Sequence, residues 1–503
     1  MTSGVGLGDA YGATLDRIKG QGGEKAKLGM AVLMWISHSE RPLKADELCH
    51  ALAVEIGSPH LNSDNVPSIA TLLACCQGLV TVDKEVSKAR LIHYTLQEYL
   101  RAHPKLFGRA HSAMAETCLT YLNSHQVKAL SANPFPYSQG APFLEYSSQY
   151  WGVHAKRDLS DCAKSLALKL FRDYSNHIST KILLQRHDLY LYMIDPDKIS
   201  FFSSLHCASV FGIVEVVASL LEVEGCDINQ RDCVGNTPLV WAALNGHEEV
   251  VKILLGRDSV DPNKPNKGGQ RPLLWAARNG HEGVVKMLLG RDDVDPNKPD
   301  VYGRAPLLWA ARNGHEGVVK MLLGRDDVDP NKPDIYGQAP LCYATGNGHE
   351  GVMKMLLGRD DVDPNTSEMY GHTQLWWAAY YRHEEMVKIL LGRDDVDPNK
   401  PDMYGRAPLW CAVDSGYEVV VKILLGRDDV DPNQSDNQGR SPLSCAAGNG
   451  HEGMVKMLLE RDDVNPDEQD LYGRTPLEWA AKRGHAGVVA LLQPPAPATP
   501  STT

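Results

Sequence analysis

The sequence predicts a mainly α-helical protein, with a small α/β module and a helical linker before an α-solenoid of about nine 34-residue repeats. Glycines recur every 34 residues from Gly235 to Gly473. Each period holds two short segments with helical spacing of apolar residues, such as APLLWAARNGH and EGVVKMLLGRDDVDPN. Such a period with paired short helices indicates a stacked solenoid. In the first hundred residues, by contrast, the apolar runs predict a series of helices and a hairpin.

The charge and cysteine content of the 503 residues exclude several classes of protein. A net charge of −12 argues against a nucleic-acid partner, because phosphate binding needs clustered Lys and Arg. Eleven scattered cysteines fit no disulfide framework, so we expect reduced thiols in an intracellular, cytoplasmic or nuclear protein. The apolar run at residues 28–37 is too short to span a bilayer, and we expect a buried helix and no membrane partner.

Residues 26–105 have the element order of a winged-helix-like domain. The run LGMAVLMWIS, the segment LKADELCHALAVEI opened by Pro42, and IATLLACCQGL ending at Gly78 predict three helices. LVTVD and ARLIHYT predict a hairpin that turns at residues 84–88. The third helix, over residues 68–79, would lie in a DNA groove if this domain bound DNA, but it has no basic residue. We therefore expect no nucleic-acid contact here.

The remaining non-repetitive segments carry little functional signal. We expect a helical linker over residues 106–200, from runs such as CAKSLALKLF and KILLQRHDLYLYM. Residues 494–503, PPAPATPSTT, are expected to be disordered because they offer almost nothing to bury. Residues 1–25 are expected to form a leader, in which GVGLG follows no strand and is no phosphate site.

The repeat unit has a physical role for each recurring residue. Proline at the first helical position loses no hydrogen bond, and glycine before the histidine ends that helix in a left-handed turn. The Val-Val and Leu-Leu pairs place an apolar stripe on each second helix that only the next repeat can bury. The recurring tryptophans are expected in the core. They are Trp241, Trp275, Trp309, Trp377 and Trp479.

These residues resemble the ankyrin repeat. Thr-Pro-Leu occurs at 237–239 and 475–477, with variants at 305–307 and 441–443, and the Ala-Ala, Gly-His, Val-Val and Leu-Leu pairs follow. A less regular unit at 203–221 keeps the same spacing. The resemblance implies ankyrin repeats over residues 201–493. Their expected bounds are 201–231, 232–265, 266–299, 300–333, 334–367, 368–401, 402–435, 436–469 and 470–493.

The N-terminal part resembles the module that follows the NACHT NTPase domain in fungal NACHT-ankyrin (STAND/NLR-like) signalling proteins. The residues that carry this resemblance are Tyr11, Thr14, Leu15, Ile18, and the segments 41–55, 72–83, 91–100 and 142–155. The family has an NTPase upstream, whereas this chain contains no G-x-x-x-x-G-K-[ST] phosphate loop. The resemblance implies a relative without its NTPase domain.

The residue patterns argue against catalysis and against a cofactor or metal. The histidines that recur once per repeat lack the second ligand of an H-E-x-x-H motif, so we expect structural hydrogen bonds from them. The RDDVDPN connections lack the order of a calcium loop, and solvated charge is expected there. Cys342, Cys411 and Cys445 occupy apolar repeat positions and are expected to pack in the core.

An ankyrin array implies a protein partner, met by the hairpin tips and by exposed positions of the first helices. The tips supply Tyr302, Arg304, Tyr336, Tyr370, His372, Tyr404 and Arg406, together with Arg440, Tyr472 and Arg474. The helices supply Arg278 and Asn279, Arg312 and Asn313, Tyr380 and Tyr381, and Lys482 and Arg483. Tyr, Arg and Asn favour protein interfaces, although recent duplication of the repeats would also make these residues recur.

The expected function is therefore a non-catalytic scaffold or adaptor that binds a protein of unknown identity, with no small-molecule substrate. Two alternatives stay open. The winged-helix region could regulate full-length signalling proteins, or the chain could serve as an accessory in a fungal specialised-metabolism pathway, as the resemblance allows.

The sixth repeat departs from its neighbours. It has GHTQLWWAAYYRHEE at 371–385, where the fourth has GRAPLLWAARNGHEG. Gln374 replaces proline and Arg382 replaces glycine, and both changes are expected to weaken the fold. Aromatic residues are gained at Trp376, Tyr380 and Tyr381. We hypothesise that these three residues, with Arg382, form a binding hot spot; drift and local packing adjustment remain alternatives.

Overall fold

The computed structural model describes residues 6–83, 85–130, 140–185 and 201–493. The chain forms two compact units, Met1–Lys267 and Gly268–Thr503, each with its own core. The tail at 494–503, residues 1–5 of the expected leader, and most of the expected helix at 181–193 lie outside the described residues.

The first unit begins with the predicted winged-helix arrangement. The three predicted helices, with one more before them, precede an antiparallel hairpin in which Val80 pairs with Leu91 and Val82 with Ala89, and a helix follows. The elements are α1 (Leu7–Gly20), α2 (Gly23–His38), α3 (Ala45–Leu52), α4 (Ile69–Cys75), β1 (Val80–Val82), β2 (Ala89–Leu91) and α5 (Tyr94–Ala102). The apolar run at 28–37 lies in α2, where Val32, Leu33 and Trp35 are buried, as predicted.

The expected leader over residues 1–25 contains helix α1, because residues 7–20 are helical. Its buried residues are Tyr11, Thr14, Leu15 and Ile18, which share one face by their spacing. The hydroxyl of Tyr11 lies 2.7 Å from that of Thr95 in α5. The segment is therefore part of the domain.

The start of α3 also differs from the prediction that Pro42 opens it. The helix begins at Ala45, because Leu43 and Lys44 first pair with the hairpin. The N–H of Ala89 donates to the carbonyl of Leu43 at 3.0 Å. Pro42 thus precedes a short extended segment that pairs with the edge of the hairpin through a single antiparallel bridge, between Lys44 and Lys88.

The described residues 110–130 and 140–185 lie in the expected helical linker at 106–200, and they are helical as predicted. The helices are α6 (Ala110–Asn123), α7 (His125–Lys128), α8 (Leu144–Arg157), α9 (Asp161–Leu170) and α10 (Ile178–Gln185), with a 3-10 turn at Phe171–Asn176. Trp151 of α8 is fully buried, and its ring centroid lies 5.1 Å from that of Phe211 in the first repeat. Gly152 makes this possible, because a Cβ there would collide with the Phe211 ring. This region is therefore continuous with the core of the first unit.

Nine helix pairs follow among the described residues, in agreement with the nine predicted repeats. The first unit holds α11 (Ser204–Phe211), α12 (Val214–Leu221), α13 (Pro238–Leu244) and α14 (Glu248–Leu255). The second unit holds α15 (Pro272–Asn279), α16 (Glu282–Leu289), α17 (Pro306–Arg312), α18 (Glu316–Leu323), α19 (Pro340–Gly346), α20 (Glu350–Leu357), α21 (Gln374–Tyr380), α22 (Glu384–Leu391), α23 (Pro408–Asp414), α24 (Glu418–Leu425), α25 (Pro442–Asn449), α26 (Glu452–Leu459), α27 (Pro476–Arg483) and α28 (Ala486–Leu492).

The connections between repeats are held by side chains as well as backbone. In the connection after α22, Arg393 forms an ion pair with Asp395 at 2.7 Å and donates to the carbonyl of Leu357 at 2.9 Å. The amide of Asn399 donates to the carbonyl of Asp429 at 2.6 Å and accepts from the N–H of Asp431 at 2.8 Å. The carboxylates of these connections are exposed to solvent, as expected, while the arginine and asparagine side chains form hydrogen bonds between successive repeats.

Candidate functional site

The hairpin tips of the second unit present a row of exposed apolar side chains. The tips of the fourth to seventh repeats each have two consecutive exposed residues, an aliphatic one and a tyrosine, with 47 to 59% of each residue accessible. We call these residues the tip row: Val301 and Tyr302, Ile335 and Tyr336, Met369 and Tyr370, Met403 and Tyr404. The four tyrosines were predicted. The aliphatic neighbours were missed, although their position before each Tyr-Gly pair could have revealed them.

Backbone hydrogen bonds hold the tip row in register. The N–H of Ile335 donates to the carbonyl of Tyr302 at 3.0 Å, and that of Met403 donates to Tyr370 at 2.8 Å. The tips thus satisfy their own backbone groups, and their side chains contribute little to any core. Between the tips of the seventh and eighth repeats, Tyr404, Trp410 and Arg440 help to line a hollow of about 250 Å³.

The tip arginines support the tips as well as facing solvent. Arg304 forms an ion pair with the buried Asp300 at 2.8 Å, and Asp300 also accepts from the N–H of Tyr302 at 2.9 Å. Arg406 pairs with Asp402 in the same way at 2.7 Å. Both arginines are half-buried, so their side chains set the tip geometry and offer only part of their surface to a partner.

Three arginines converge on Trp309. The guanidinium carbons of Arg278, Arg304 and Arg312 lie 4.3, 4.4 and 5.2 Å from a ring centroid of this tryptophan. We call them the arginine cluster. Burial, and then the charges of Arg304 and Arg312, lower the pKa of Arg278. Arg278 and Arg312 stand 34 residues apart, so the repeat alignment placed both at one helix position, but it did not show that they share a ring. Asn313, beside them, is exposed.

Trp376 corrects the prediction that it adds surface, since only 3% of it is exposed. Its ring stacks on that of Tyr380, with centroids 5.0 Å apart and planes 15° apart, which confirms that the two share a helical face. Tyr381 stacks in parallel on Trp377 at 5.4 Å. The two tyrosines are exposed and cover the two tryptophans. These four residues form what we call the aromatic cluster.

His372 was expected at an exposed tip, but it is buried beneath the aromatic cluster. Its ring centroid lies 3.7 Å from that of Trp376, and its Nδ1 lies 2.7 Å from Oε1 of Glu368. The sixth repeat has thus exchanged the Arg–Asp pair of the fourth and seventh repeats for a shorter basic side chain and a longer carboxylate. Burial lowers the pKa of His372, although Glu368 and Asp402 act in the opposite direction.

The replacement of proline by Gln374 was expected to weaken the fold, but the side chain forms hydrogen bonds of its own. It is fully buried, and its amide donates to the hydroxyl of Thr366 at 2.8 Å and to the carbonyl of Thr366 at 3.0 Å. The thiol of Cys342 in the preceding repeat donates to its Oε1 at 3.5 Å. These contacts offset the loss of proline, because they satisfy a buried amide.

The comparison with protein families decides the identity of the repeats. Residues 205–300, 293–368, 341–436 and 409–500 match the family model described as ankyrin repeats (3 copies). Together these matches cover more than half of the chain. The chain belongs to the ankyrin-repeat family.

The N-terminal part of this ankyrin-repeat protein matches a second family model. Residues 16–111 match the one described as GPI inositol-deacylase, winged helix domain, and the match begins within α1. Both parts of the predicted resemblance, ankyrin repeats and a winged helix, are confirmed. A comparison with curated proteins found no match.

The recurring ankyrin histidines make the structural hydrogen bonds that were predicted. Nε2 of His315 lies 2.9 Å from the carbonyl oxygen of Arg278 in the repeat before it, and Nε2 of His349 lies 2.9 Å from that of Arg312. Over the described parts of the chain, no three or more His, Cys, Asp or Glu are grouped to hold a metal ion, and no helix is long and apolar enough to cross a membrane.

The other predicted core residues of the array are mostly buried. Cys342, Cys411 and Cys445 are buried, and burial raises the pKa of the Cys342 thiol to about 11. Of the recurring tryptophans, Trp241, Trp275 and Trp309 are buried, as predicted. Trp377 and Trp479 are only half-buried. Tyr381 covers one face of the Trp377 ring, and no helix pair follows Trp479 in the described part of the chain.

Proposed function

We propose that this ankyrin-repeat protein is a non-catalytic interaction scaffold or adaptor that binds a protein partner through the tip row. The observation that supports this is the alignment of four exposed aliphatic–tyrosine pairs whose side chains the fold does not bury. A contiguous exposed apolar surface of this kind marks an interaction site in soluble proteins. Aromatic residues near the centre of an interface carry much of the binding energy.

The arrangement fits a partner that lies along several repeats. Successive tips are joined by backbone hydrogen bonds, so a partner would meet a pre-organised surface and lose little entropy in ordering it. The aromatic cluster and the half-buried arginines lie in the same repeats and supply polar contacts around the apolar row. We place the protein inside the cell, since all eleven cysteines are free.

The test uses the full-length chain as bait for affinity capture. Tyr336→Ala combined with Tyr370→Ala should weaken partner retention by about tenfold or more, as loss of interface anchors does. The matched control is Tyr94→Ala, which removes an exposed tyrosine of the winged helix. Retention of the same partner by the tip-row variant would contradict the proposal.

The second candidate function, regulation of signalling proteins through the winged helix, is favoured by one observation. Ile92 and Tyr94 are exposed at the end of β2, beside a hollow of about 420 Å³ that Arg41, Arg90 and His93 help to line. Loss of the partner only in the Tyr94→Ala variant would support this function over the first.

A split of the chain at residue 200 would not be a fair test of either function. The hydroxyl of Ser204 donates to the carbonyl of Phe171 at 2.8 Å, and the thiol of Cys207 donates to the hydroxyl of Tyr174 at 3.0 Å. Such a cut would separate buried partners, so point variants of the whole chain are the better probes.

A further inference from the structure

We infer that the arginine cluster around Trp309 binds a carboxylate side chain, so that the partner presents an acidic segment to the third and fourth repeats. This inference rests on the proposed function, since it concerns the same face of the array, and it specifies the chemistry of the partner.

The charges of the arginine cluster are only partly balanced. Arg304 has an ion-pair partner in Asp300. Arg278 and Arg312 form no ion pair with any residue in the described ranges, although each lies against Trp309. Three guanidinium groups around one indole repel one another, and a carboxylate between them would relieve that repulsion with charge-assisted hydrogen bonds.

Trp309 provides a second, independent observation. Only 5% of it is exposed, and its Nε1 has no hydrogen-bond partner among the described residues. The equivalent donor of Trp479 reaches Oδ2 of Asp470 at 3.1 Å. The same donor is also unpartnered, within the described ranges, at Trp275, Trp376 and Trp377, so what distinguishes Trp309 is its position as the buried floor beneath three guanidinium groups.

Basic side chains cluster at both ends of the second unit. Arg474, Lys482 and Arg483 lie 4.0, 5.9 and 5.3 Å from a ring centroid of Trp479 in the last repeat. The repeats between the two clusters are less favourable to an acidic segment. At the helix position of Arg278 and Arg312, the next repeats have Gly346, Tyr380 and Asp414. A basic residue returns only at Lys482, in the last repeat. The seventh repeat would therefore repel an acidic segment that the third and fourth repeats attract.

The cluster is also continuous with the tip row. The guanidinium of Arg304 lies 4.6 Å from the ring centroid of Tyr302, the exposed tyrosine of the first tip. A partner segment with one acidic residue next to apolar residues would therefore engage both surfaces at once.

The test measures binding of a fluorescein-labelled hexaglutamate peptide to the full-length protein by fluorescence anisotropy. We expect saturable binding that weakens as salt is added, and a loss of about tenfold or more in Arg312→Glu, since a reversed charge faces the probe. The matched control is Lys320→Glu, which makes the same charge change at an exposed position on the second helix of the fourth repeat and should stay within about twofold. Trp309→Phe shrinks the aromatic surface that orients all three arginines and should weaken binding about threefold to tenfold.

Three outcomes would overturn the inference: no saturable binding of hexaglutamate, equal loss in Lys320→Glu, or displacement of the probe by inorganic phosphate as readily as by unlabelled hexaglutamate. If Arg312→Glu folds poorly, Arg278→Gln removes one charge of the cluster without reversing it. If hexaglutamate fails while the tip-row variant still loses its captured partner, the inference falls and the proposed function stands. If the tip-row variant keeps its partner, the proposed function itself falls.

Discussion

The guanidinium carbon of Arg382 lies 5.9 Å from the ring centroid of Tyr417, and both residues depart from the repeat pattern. Arg382 has a φ of +61° where other repeats have glycine. In those repeats a Cβ would come close to the histidine of the next repeat, as at Gly280, where it would lie 2.6 Å from Nδ1 of His315. After Arg382 that histidine is replaced by Tyr417. The two changes therefore compensate each other, which favours a packing adjustment at this pair over independent drift.

The first prediction concerns this pair. Tyr417→His alone should destabilise the protein by about 1 to 3 kcal/mol, because it brings an imidazole against the Cβ of Arg382. Arg382→Gly alone should change stability little, since relief of about 1 to 2 kcal/mol of left-handed strain is offset by the lost contact with Tyr417. The double variant should recover the stability that Tyr417→His loses. Urea unfolding of the four proteins in a double-mutant cycle measures the coupling, and purely additive effects would contradict compensation.

The second prediction concerns Gln374. The repeat consensus suggests that Gln374→Pro would stabilise the helix start, but we expect a loss of about 1 to 3 kcal/mol, because the hydrogen bonds to Thr366 and from Cys342 disappear. Adding Thr366→Lys should recover part of the loss, since Lys400 at this position donates to the carbonyl of Asn365 at 2.9 Å. The midpoint of urea unfolding provides the measurement, and a rise in the midpoint for Gln374→Pro alone would show that the buried amide contributes nothing.

The third prediction concerns pH and a buried histidine of the first unit. His154 is fully buried, with Nδ1 2.9 Å from Nδ1 of His111 and Nε2 2.9 Å from the hydroxyl of Tyr146. Burial first, and then the charges of His111 and Arg157, lower its pKa to about 3 from an ordinary 6.5. Below pH 6.5 the unfolded chain therefore binds a proton that the folded chain does not, and stability falls as the pH drops toward 3.

The expected slope from His154 is about 1.4 kcal/mol per pH unit within that window. His154→Gln should lower stability at neutral pH but make its loss between neutral and acidic pH shallower by about that slope. The same substitution at an exposed histidine, His60→Gln, provides the control. Urea unfolding at several pH values measures both, and an unchanged slope in His154→Gln would mean that this histidine titrates normally in the folded state.

Much of the array follows from the sequence because each repeat repeats the same local chemistry. Proline, glycine and the paired Val and Leu residues predicted the helix starts, the left-handed turns and the core stripe. The burial of Trp376 could not be predicted in the same way, because it depends on the exchange of an Arg–Asp pair for His372 and Glu368. The arginine cluster and the Arg382–Tyr417 pair depend on contacts between repeats. The 34-residue period shows which positions are equivalent, but it does not show which side chains touch. The helices at 110–185 have no period at all, so only their packing showed that they are part of a core.

The last prediction separates the hot-spot hypothesis for the sixth repeat from drift. Tyr380→Arg combined with Tyr381→Asn restores the consensus but removes both aromatic stacks, on Trp376 and on Trp377. We expect stability to fall by about 1 to 3 kcal/mol, from two stacked pairs worth roughly 0.5 to 1.5 kcal/mol each. If the aromatic cluster is also a binding hot spot, partner capture should fall about tenfold or more in the same variant.

The matched experiment moves the tyrosines to the fourth repeat as Arg312→Tyr with Asn313→Tyr. Leu308 stands there where the sixth repeat has Trp376, so the tyrosine at 312 would find no indole at that position to stack on. A tyrosine at 313 would still meet Trp309, which stands where the sixth repeat has Trp377, so this graft should gain at most one stacked pair, about 0.5 to 1.5 kcal/mol. In the Tyr380→Arg, Tyr381→Asn variant, a fall in stability without a change in partner capture would assign the aromatic cluster to packing alone. A rise in the stability of that variant, with partner capture unchanged, would contradict both the hot spot and the stacking argument and leave drift as the explanation.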